Sequence, residues 1–362
     1  MTSTRRAGSA RLTSRAAALD LEGAALVVGG VALAAGILLA LPFFWGRSLP
    51  IAGPSSVSQF AAIAGGLAGL AAYVVGRLWH RTALTPFGGR PDREPGAPAE
   101  RRSIGGAEIF DTVVIALAHG IIGLLLWLEL GAILADGFTG AVVYFVSAAV
   151  LAGAAVGVTA YASFLSATRM DLMRLSTVLA AFAILGILAA MLSAPDPQWW
   201  TLHLSALGMS NSISSLTFNV TLIVAGLMMA AIARYATDLR TANPEVPRSA
   251  TLRVRVCLIL IGVLLAGVGL FPLDVSRVLH NASAVGMLLS FSLLVFWVRR
   301  ALPEAPRAFF LFGYVSFGVI VLAAIFFVTG YYVLTATELV AGVLVFAWLT
   351  VYLRVSGAAA RG

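Results

Sequence analysis

Lysine is absent from this 362-residue chain, and charge of either sign is scarce, with charged residues making up only 11%. Soluble domains carry about 25% charged residues, so this composition argues against a protein that folds in water. Without a Lys amine the chain cannot form the Schiff base of retinal or pyridoxal phosphate proteins, and it cannot build a Walker A phosphate loop. These absences exclude several classes of cofactor-dependent protein, and we expect no cofactor.

Cysteine is nearly absent as well. The single Cys257 lies inside an apolar run, which excludes an intramolecular disulfide and a thiolate metal cluster. A formal net charge of +8 would suit nucleic-acid binding, but the Arg residues lie in short segments between apolar runs. In that position basic residues orient a membrane protein. We therefore expect membrane lipids, and not nucleic acid, as partners.

Long apolar runs dominate the sequence, which is 60% hydrophobic. A helix needs about 20 apolar residues to cross a bilayer. The runs of that length are 23–44, 57–79, 109–135, 140–165, 174–194, 213–235, 254–272, 278–298, 308–329 and 335–354. The sequence thus predicts an all-α, polytopic integral membrane helix bundle with ten transmembrane helices.

The distribution of Arg predicts an orientation. If the N-terminus is cytoplasmic, every Arg except Arg47 and Arg277 falls in an inner segment. Inner loops of membrane proteins carry the excess of basic residues, so both termini are predicted to be cytoplasmic. Arg in place of Lys, with abundant Ala and Gly, is typical of a GC-rich bacterial genome. We expect a multi-pass protein of a bacterial cytoplasmic membrane.

Composition also divides the chain. Residues 1–22 are predicted to form a cytoplasmic tail, and 23–165 a four-span N-terminal bundle. This bundle includes 80–107, a segment rich in Pro, Gly and Arg that predicts a flexible linker. A six-span domain is predicted over 174–355, followed by a cytoplasmic tail at 356–362.

Glycines four residues apart occur in two spans, at Gly65 and Gly69 and at Gly153 and Gly157. In lipid such pairs allow close approach of helix backbones. The favoured interpretation is packing within the chain, and the alternative is a dimer interface. A homo-oligomer or a membrane-protein partner therefore stays open.

An ionisable group inside a span costs about 2.5–3.5 kcal/mol at the bilayer centre, so each such group needs a structural or functional explanation. His119 lies well inside the third span. It is either a neutral imidazole bonded to a neighbouring helix or a group with a function, such as a proton relay, a substrate contact or a haem ligand. The remaining polar residues collect in the outer half, which predicts that any site opens outward: Glu129, Asp136, His203, Asn219, Asp274, Arg277, His280 and Glu338.

The stretch GLFPLDVSRVLHNASA, 269–284, separates two apolar runs. Pro272 should end the seventh helix, and Asp274 is placed to cap the eighth, with Arg277 and His280 following at one-turn intervals on one broad face. One interpretation is a capped helix start with a salt bridge at its rim. The other is a site in which Arg277 binds an anionic head group while Asp274 and His280 exchange protons or bind a metal. The spacing matches no metal motif, so no metal site is predicted. The candidate ligand-binding residues are Asp274, Arg277, His280, Asn219, His203 and Glu129.

Short motifs in the same region carry a family resemblance. They are L-S-x-L-G at 204–208, F-N at 218–219, and G-x-F-P at 269–272 followed by His280. Over about 174–355 the sequence resembles a prokaryotic membrane family known as domain of unknown function 998. The resemblance implies a six-helix membrane unit with these motifs at its outer end, and it implies no activity. More distantly the pattern is similar to the Frag1/DRAM/Sfk1 group, which is linked to lipid handling.

Three functions remain open on the sequence. The favoured one is binding or moving a lipid or small amphipathic molecule through an outward-facing pocket around Asp274, Arg277 and His280. The second is an accessory or assembly subunit with no active site. The third is a membrane-embedded lipid-modifying enzyme, which is less favoured because no strong catalytic motif is present.

Overall fold

The computed structural model describes residues 2–82, 105–238 and 246–359. Within these ranges the chain forms ten long α-helices, two short strands and two 3₁₀ helices. All ten helices are long and apolar enough to cross a membrane. The predicted all-α, ten-helix membrane bundle is therefore confirmed. The cytoplasmic placement of both termini stays a prediction.

The chain folds as two compact units that divide between Met170 and Asp171. The first unit contains α1 (Thr2–Phe44), α2 (Val57–Thr82), α3 (Gly106–Gly137) and α4 (Phe145–Thr168). The second contains α5 (Leu172–Leu192), α6 (Ile213–Asp238), α7 (Arg248–Leu270), α8 (Arg277–Ala301), α9 (Arg307–Val328) and α10 (Leu334–Ala359).

The predicted tail and the predicted linker both overlap helices of the structure. The apolar part of α1 begins at Asp20, but the helix itself extends back through the residues predicted as a tail. α2 continues to Thr82 and α3 begins at Gly106, so both ends of the predicted linker 80–107 are helical. The rest of that segment, 83–104, lies outside the described residues.

Glycines set the packing of the first unit, in which α4 lies along α1 and α2, and α2 also lies along α3. A methyl group on Gly157 would come within 2.9 Å of the Gly29 carbonyl oxygen of α1. One on Gly69 would come within 3.3 Å of the His119 carbonyl oxygen of α3. The interpretation of these glycines as sites of packing within the chain is confirmed.

His119 links two helices of the first unit and is only 7% exposed. Its Nδ1 lies 2.8 Å from the Ile115 carbonyl oxygen of its own helix. Its Nε2 lies 2.9 Å from the Ser166 hydroxyl of α4, and its ring packs on that of Tyr73. Both ring nitrogens have partners, as expected for an imidazole bonded to a neighbouring helix.

A small sheet joins two connections of the first unit. β1 (Ser48–Pro50) pairs antiparallel with β2 (Val142–Tyr144), and Leu49 of β1 is buried. The sequence did not predict these strands, because three residues are too few to show an alternating pattern.

In the second unit α6 packs between α5 and α7, α8 packs on α7, and α10 contacts both α9 and α5. The α6–α7 contact brings main chain against main chain. A methyl group on Gly262 would lie 2.5 Å from the Gly226 carbonyl oxygen and 2.9 Å from the Ala230 nitrogen. These two single glycines therefore set the distance between the helices.

Large apolar side chains face outward along the helices of each unit. Leu38 is 69% exposed, Ile213 is 75% exposed and Val328 is 82% exposed. Water would disfavour so many exposed apolar side chains, whereas lipid tails are as apolar as Leu itself. The surface is that of a protein solvated by lipid.

Candidate functional site

The candidate site lies at one end of the second unit, which we call the His280 end. The connection between α5 and α6, residues 193–212, lies at this end and contains the 3₁₀ helices Trp199–Thr201 and Leu204–Gly208. Residues of this connection bond to the turn between α7 and α8 and to the start of α10. The site is thus assembled from segments distant in sequence.

His280 is held between two of these segments. α7 ends at Leu270, just before Pro272, and α8 begins at Arg277. The His280 ring is 4% exposed, its Nδ1 is 3.0 Å from the Phe271 carbonyl oxygen, and its Nε2 is 3.1 Å from the Ser205 hydroxyl. Because a carbonyl oxygen only accepts, Nδ1 carries a hydrogen.

The Ser205 hydroxyl has a second neighbour, which is a carboxylate. Its Oγ lies 3.4 Å from Oε1 of Glu338, on the first turns of α10. The Leu204 main-chain N–H donates to Oε2 of the same carboxylate. One serine side chain therefore joins an imidazole on α8 to a carboxylate on α10.

Asn219, one of the predicted ligand residues, holds the connection to α6. Its Nδ2 donates to the Gly208 carbonyl oxygen at 2.9 Å. A methyl group on Gly208 would lie 2.6 Å from the Asn219 Oδ1, so a larger residue here would displace the Asn219 side chain. Leu207 and Phe218 are buried together beside it. In this structure Asn219 positions the connection.

The prediction that Asp274 caps α8 is wrong. Ser276 is the N-cap, because α8 begins at Arg277 and the Ser276 hydroxyl accepts from the Leu279 N–H at 3.4 Å. Asp274 instead accepts a hydrogen bond of 3.0 Å from the main-chain N–H of Ser210. Ser210 has a φ of +72°, a left-handed conformation that is uncommon outside glycine, so Asp274 helps to hold a strained residue.

Arg277 is exposed, whereas His280, about one turn further along α8, is buried. The expected salt bridge between Arg277 and Asp274 is not among the ion pairs of the described residues. The expected rim salt bridge is therefore replaced by a carboxylate that binds the connection. The other alternative, a site at Asp274, Arg277 and His280, stays a prediction.

This arrangement predicts that removal of Asp274 and removal of Arg277 affect stability differently. Asp274→Ala leaves the Ser210 N–H without its carboxylate, and we expect a loss of about 1 kcal/mol of stability. Arg277→Ala removes an exposed side chain and should change stability by less than about 0.5 kcal/mol. Thermal unfolding of the two variants in detergent tests this, and equal effects would contradict the role assigned to Asp274.

His203 and Glu129, the remaining two predicted ligand residues, lie in different units of the chain. His203 immediately precedes the second 3₁₀ helix, and its buried Nδ1 has no hydrogen-bond partner. Burial lowers the pKa of His203 from its ordinary value, and the positive charges of His280 and Arg277 lower it further. Glu129 is half-buried on α3 and belongs to the first unit.

A cavity of about 210 Å³ lies beneath the connection. Its lining is mostly apolar, with one carboxylate and three hydroxyls: Ala194, Pro195, Asp196, Trp199, Leu202, Ala206, Leu207, Met209, Ser210, Ser212 and Ser214. None of the six predicted ligand residues lines this cavity. Leu202 and Ala206 do, and they flank His203 and Ser205 in the chain.

Sequence reasoning missed Ser205 as a site residue and left Glu338 out of the candidate set. Ser205 is 75 residues from His280 and 133 residues from Glu338 along the chain. The signal for Ser205 was present, since it belongs to the L-S-x-L-G motif. Glu338 was visible only as an acid at the start of an apolar span.

Asp274, His280 and His203 carry side chains of the kinds that bind metal ions. Among the described residues, no three His, Cys, Asp or Glu side chains lie close enough together to hold a metal ion. The chemistry that the arrangement offers is hydrogen bonding and proton exchange.

The ten apolar helices and their outward-facing side chains define an integral, multi-pass membrane protein. Residues 177–355 match the model of the family described as "Protein of unknown function (DUF998)". The match runs from within α5 to within α10, and α1–α4 lie outside it. No curated protein and no solved structure matches the chain. The Frag1/DRAM/Sfk1 similarity is not shown by these comparisons, and the bacterial cytoplasmic membrane stays a prediction.

Proposed function

We propose that the second unit binds a lipid or other small amphipathic molecule with an anionic head group at its His280 end. The apolar part occupies the cavity beneath the connection, and the head group lies between His203 and Arg277. The observation that carries this proposal is the cavity of about 210 Å³, whose lining residue Leu202 directly precedes His203 in the chain.

The cavity suits an apolar chain. Drug-sized ligands occupy about 300–1,000 Å³, so this smaller volume accommodates a single acyl chain segment. Trp199, Leu202 and Met209 provide apolar lining. Ile213, which follows the lining residue Ser212, is 75% exposed, so the cavity lies beside surface that faces lipid.

The head-group position is supported by charge. Arg277 is exposed, and the unpartnered Nδ1 of His203 offers a donor whenever that nitrogen is protonated. Hydrogen bonds from Arg and protonated His to an anion are stronger than neutral ones. An anion would also oppose the influences that lower the pKa of His203, so its binding should strengthen as pH falls.

Two observations favour this function over an accessory subunit without a site. Such a subunit should have Arg277 paired with Asp274 and no cavity behind them. Asp274 is bonded to Ser210 instead, and Ser210 itself lines the cavity.

Calorimetric titration of the full chain with a short-chain phosphatidylglycerol, dihexanoyl phosphatidylglycerol, tests the proposal. Its charge is constant over the pH range in which His titrates. We expect binding that Arg277→Ala weakens about tenfold, equal to about 1.4 kcal/mol, and that tightens from about pH 8 to about pH 6. His203→Gln should remove most of that pH dependence.

Matched controls separate the parts of the ligand. Arg47→Ala removes the other Arg outside the predicted inner segments and should leave binding unchanged. Dihexanoyl phosphatidylcholine has the same chains without net charge, and glycerol phosphate has an anionic head without chains. Both should bind more weakly. Equal binding of the two lipids, or no effect of Arg277→Ala, would contradict the head-group site, and no binding of any of them would contradict the function.

A further inference from the structure

The geometry points to a proton relay at the His280 end, in which Glu338 and His280 share one proton that passes between them through the hydroxyl of Ser205. This relay goes beyond the proposed function and does not depend on it. It assigns a role to three polar groups that the amphipathic ligand does not contact in the proposal above.

The hydrogen bonds of His280 limit proton exchange to one of its two ring nitrogens. The Phe271 carbonyl oxygen accepts from Nδ1 of His280, so that nitrogen keeps its hydrogen in every state. The ring can therefore gain or lose a proton only at Nε2, which lies 3.1 Å from the Ser205 Oγ. Both residues are nearly inaccessible, at 4% and 9% exposed.

The Ser205 hydroxyl has a second neighbour that can exchange a proton with it. The Ser205 Oγ lies 3.4 Å from the Glu338 Oε1. A hydroxyl has one hydrogen and can accept as well as donate. With an imidazole on one side and a carboxyl group on the other, its hydrogen can point to only one of them at a time.

Two states of this chain satisfy the same hydrogen bonds. In the first, the protonated Glu338 donates to the Ser205 Oγ, and the Ser205 hydroxyl donates to Nε2 of neutral His280. On transfer, the Oε1–H bond and the original Ser205 O–H bond break, while a new Ser205 O–H bond and an Nε2–H bond form. The second state holds a Glu338 carboxylate and a His280 imidazolium, so atoms, electrons and net charge balance.

The surrounding charges act in opposite directions on this equilibrium. The Leu204 N–H donates to Glu338 and favours the carboxylate, whereas the partial burial of Glu338 opposes it. Arg277 on α8 and His203 on the connection are the groups here that can carry positive charge, and Asp274, in the turn before α8, carries negative charge. Neither state is excluded by its neighbours, which is the condition for a shared proton.

The same serine and histidine could instead be read as a nucleophile and its base, since their separation is within the range of such pairs. Acyl transfer requires donors that stabilise developing negative charge beside the nucleophile. Here a carboxylate lies against the same Oγ, so the arrangement favours proton transfer over nucleophilic attack.

The test combines infrared and nitrogen NMR measurements on the full chain in lipid nanodiscs during a pH titration. We expect a carboxyl C=O stretch that Glu338→Gln removes, while Glu129→Gln, at a half-buried acid on α3, leaves it. In the parent chain the His280 Nε2 signal should change in step with this stretch. Ser205→Ala keeps both end groups but should uncouple them, shifting the His280 titration by about one pH unit.

Three results would overturn the relay. They are a carboxyl stretch that survives Glu338→Gln, a parent chain in which the two groups titrate independently, and Ser205→Ala titrations identical to the parent. Labelling of Ser205 by a fluorophosphonate would also overturn it in favour of a nucleophile. None of these readouts involves lipid titration, so failure of the relay and failure of the proposed ligand site are distinguishable.

Discussion

A Gly226→Ala variant should unfold at a markedly lower temperature than the parent chain. The added methyl group would overlap the Gly262 carbonyl oxygen of α7 and lie 2.7 Å from the Ala266 nitrogen. Main-chain atoms cannot rotate away as a side chain can, so α6 and α7 must move apart. Overpacking of this kind costs about 1–3 kcal/mol or more, and we expect the upper end of that range.

The single cysteine provides the measurement. Cys257 lies on α7 and is 2% exposed, so a thiol-reactive fluorophore reports its exposure as the α6–α7 contact opens on heating in detergent. Gly262→Ala removes the same contact from the other side and should behave alike.

Glycines without neighbours give the matched control. A methyl group on Gly318 of α9 or Gly342 of α10 would meet no atom within 4 Å. Ala is favoured over Gly inside a helix by up to about 1 kcal/mol, so these variants should be as stable as the parent or slightly more stable. If Gly318→Ala and Gly226→Ala lowered the unfolding temperature equally, the α6–α7 contact could not be the cause.

The number of helices could be predicted from the sequence, whereas the α6–α7 contact could not. Ten apolar runs are sufficient to predict ten helices, because the length of each run is set by the bilayer alone. Pairs such as Gly153 and Gly157 are visible because both residues lie on one helix, four apart. Gly226 and Gly262 meet only across two helices, so nothing in the sequence near either residue indicates the pairing.

The candidate site also has residues that the sequence could predict and partners that it could not. His280 and Asn219 could be predicted, because a polar residue within or beside an apolar span requires a partner. Their partners could not, since Phe271, Ser205 and Gly208 come from separate segments. The cap of α8 was misassigned because Asp274 and Ser276 are both good N-cap residues, and the choice depends on where the chain leaves the turn after Pro272.

Several of the residues that carry the family resemblance fix the connection. Ser205 bonds to His280, Gly208 bonds to Asn219, and Phe271 supplies the carbonyl oxygen for His280. A methyl group on Gly269 would lie 2.6 Å from the Asn219 carbonyl oxygen, so this glycine lets α7 approach α6. The motifs thus describe how one end of the six-helix unit is closed.

Glu338→Ala should release that closure. The substitution leaves the Leu204 N–H without its charged acceptor and removes one partner of the Ser205 hydroxyl. Loss of a charged acceptor by a part-buried donor costs about 1–3 kcal/mol, and because the connection lies outside the long helices, the cost should appear as local opening. Hydrogen exchange at 199–209 should accelerate about 10- to 100-fold, while exchange in α6 and α7 changes little.

Glu338→Gln separates closure from proton exchange. The amide oxygen can still accept from the Leu204 N–H, so exchange at 199–209 should stay within a few-fold of the parent chain, although the relay is lost. Glu338→Ala should lose both. Parent-like exchange in Glu338→Ala would mean that the connection is held without α10, and the closure of the His280 end would then rest on His280, Asn219 and Asp274.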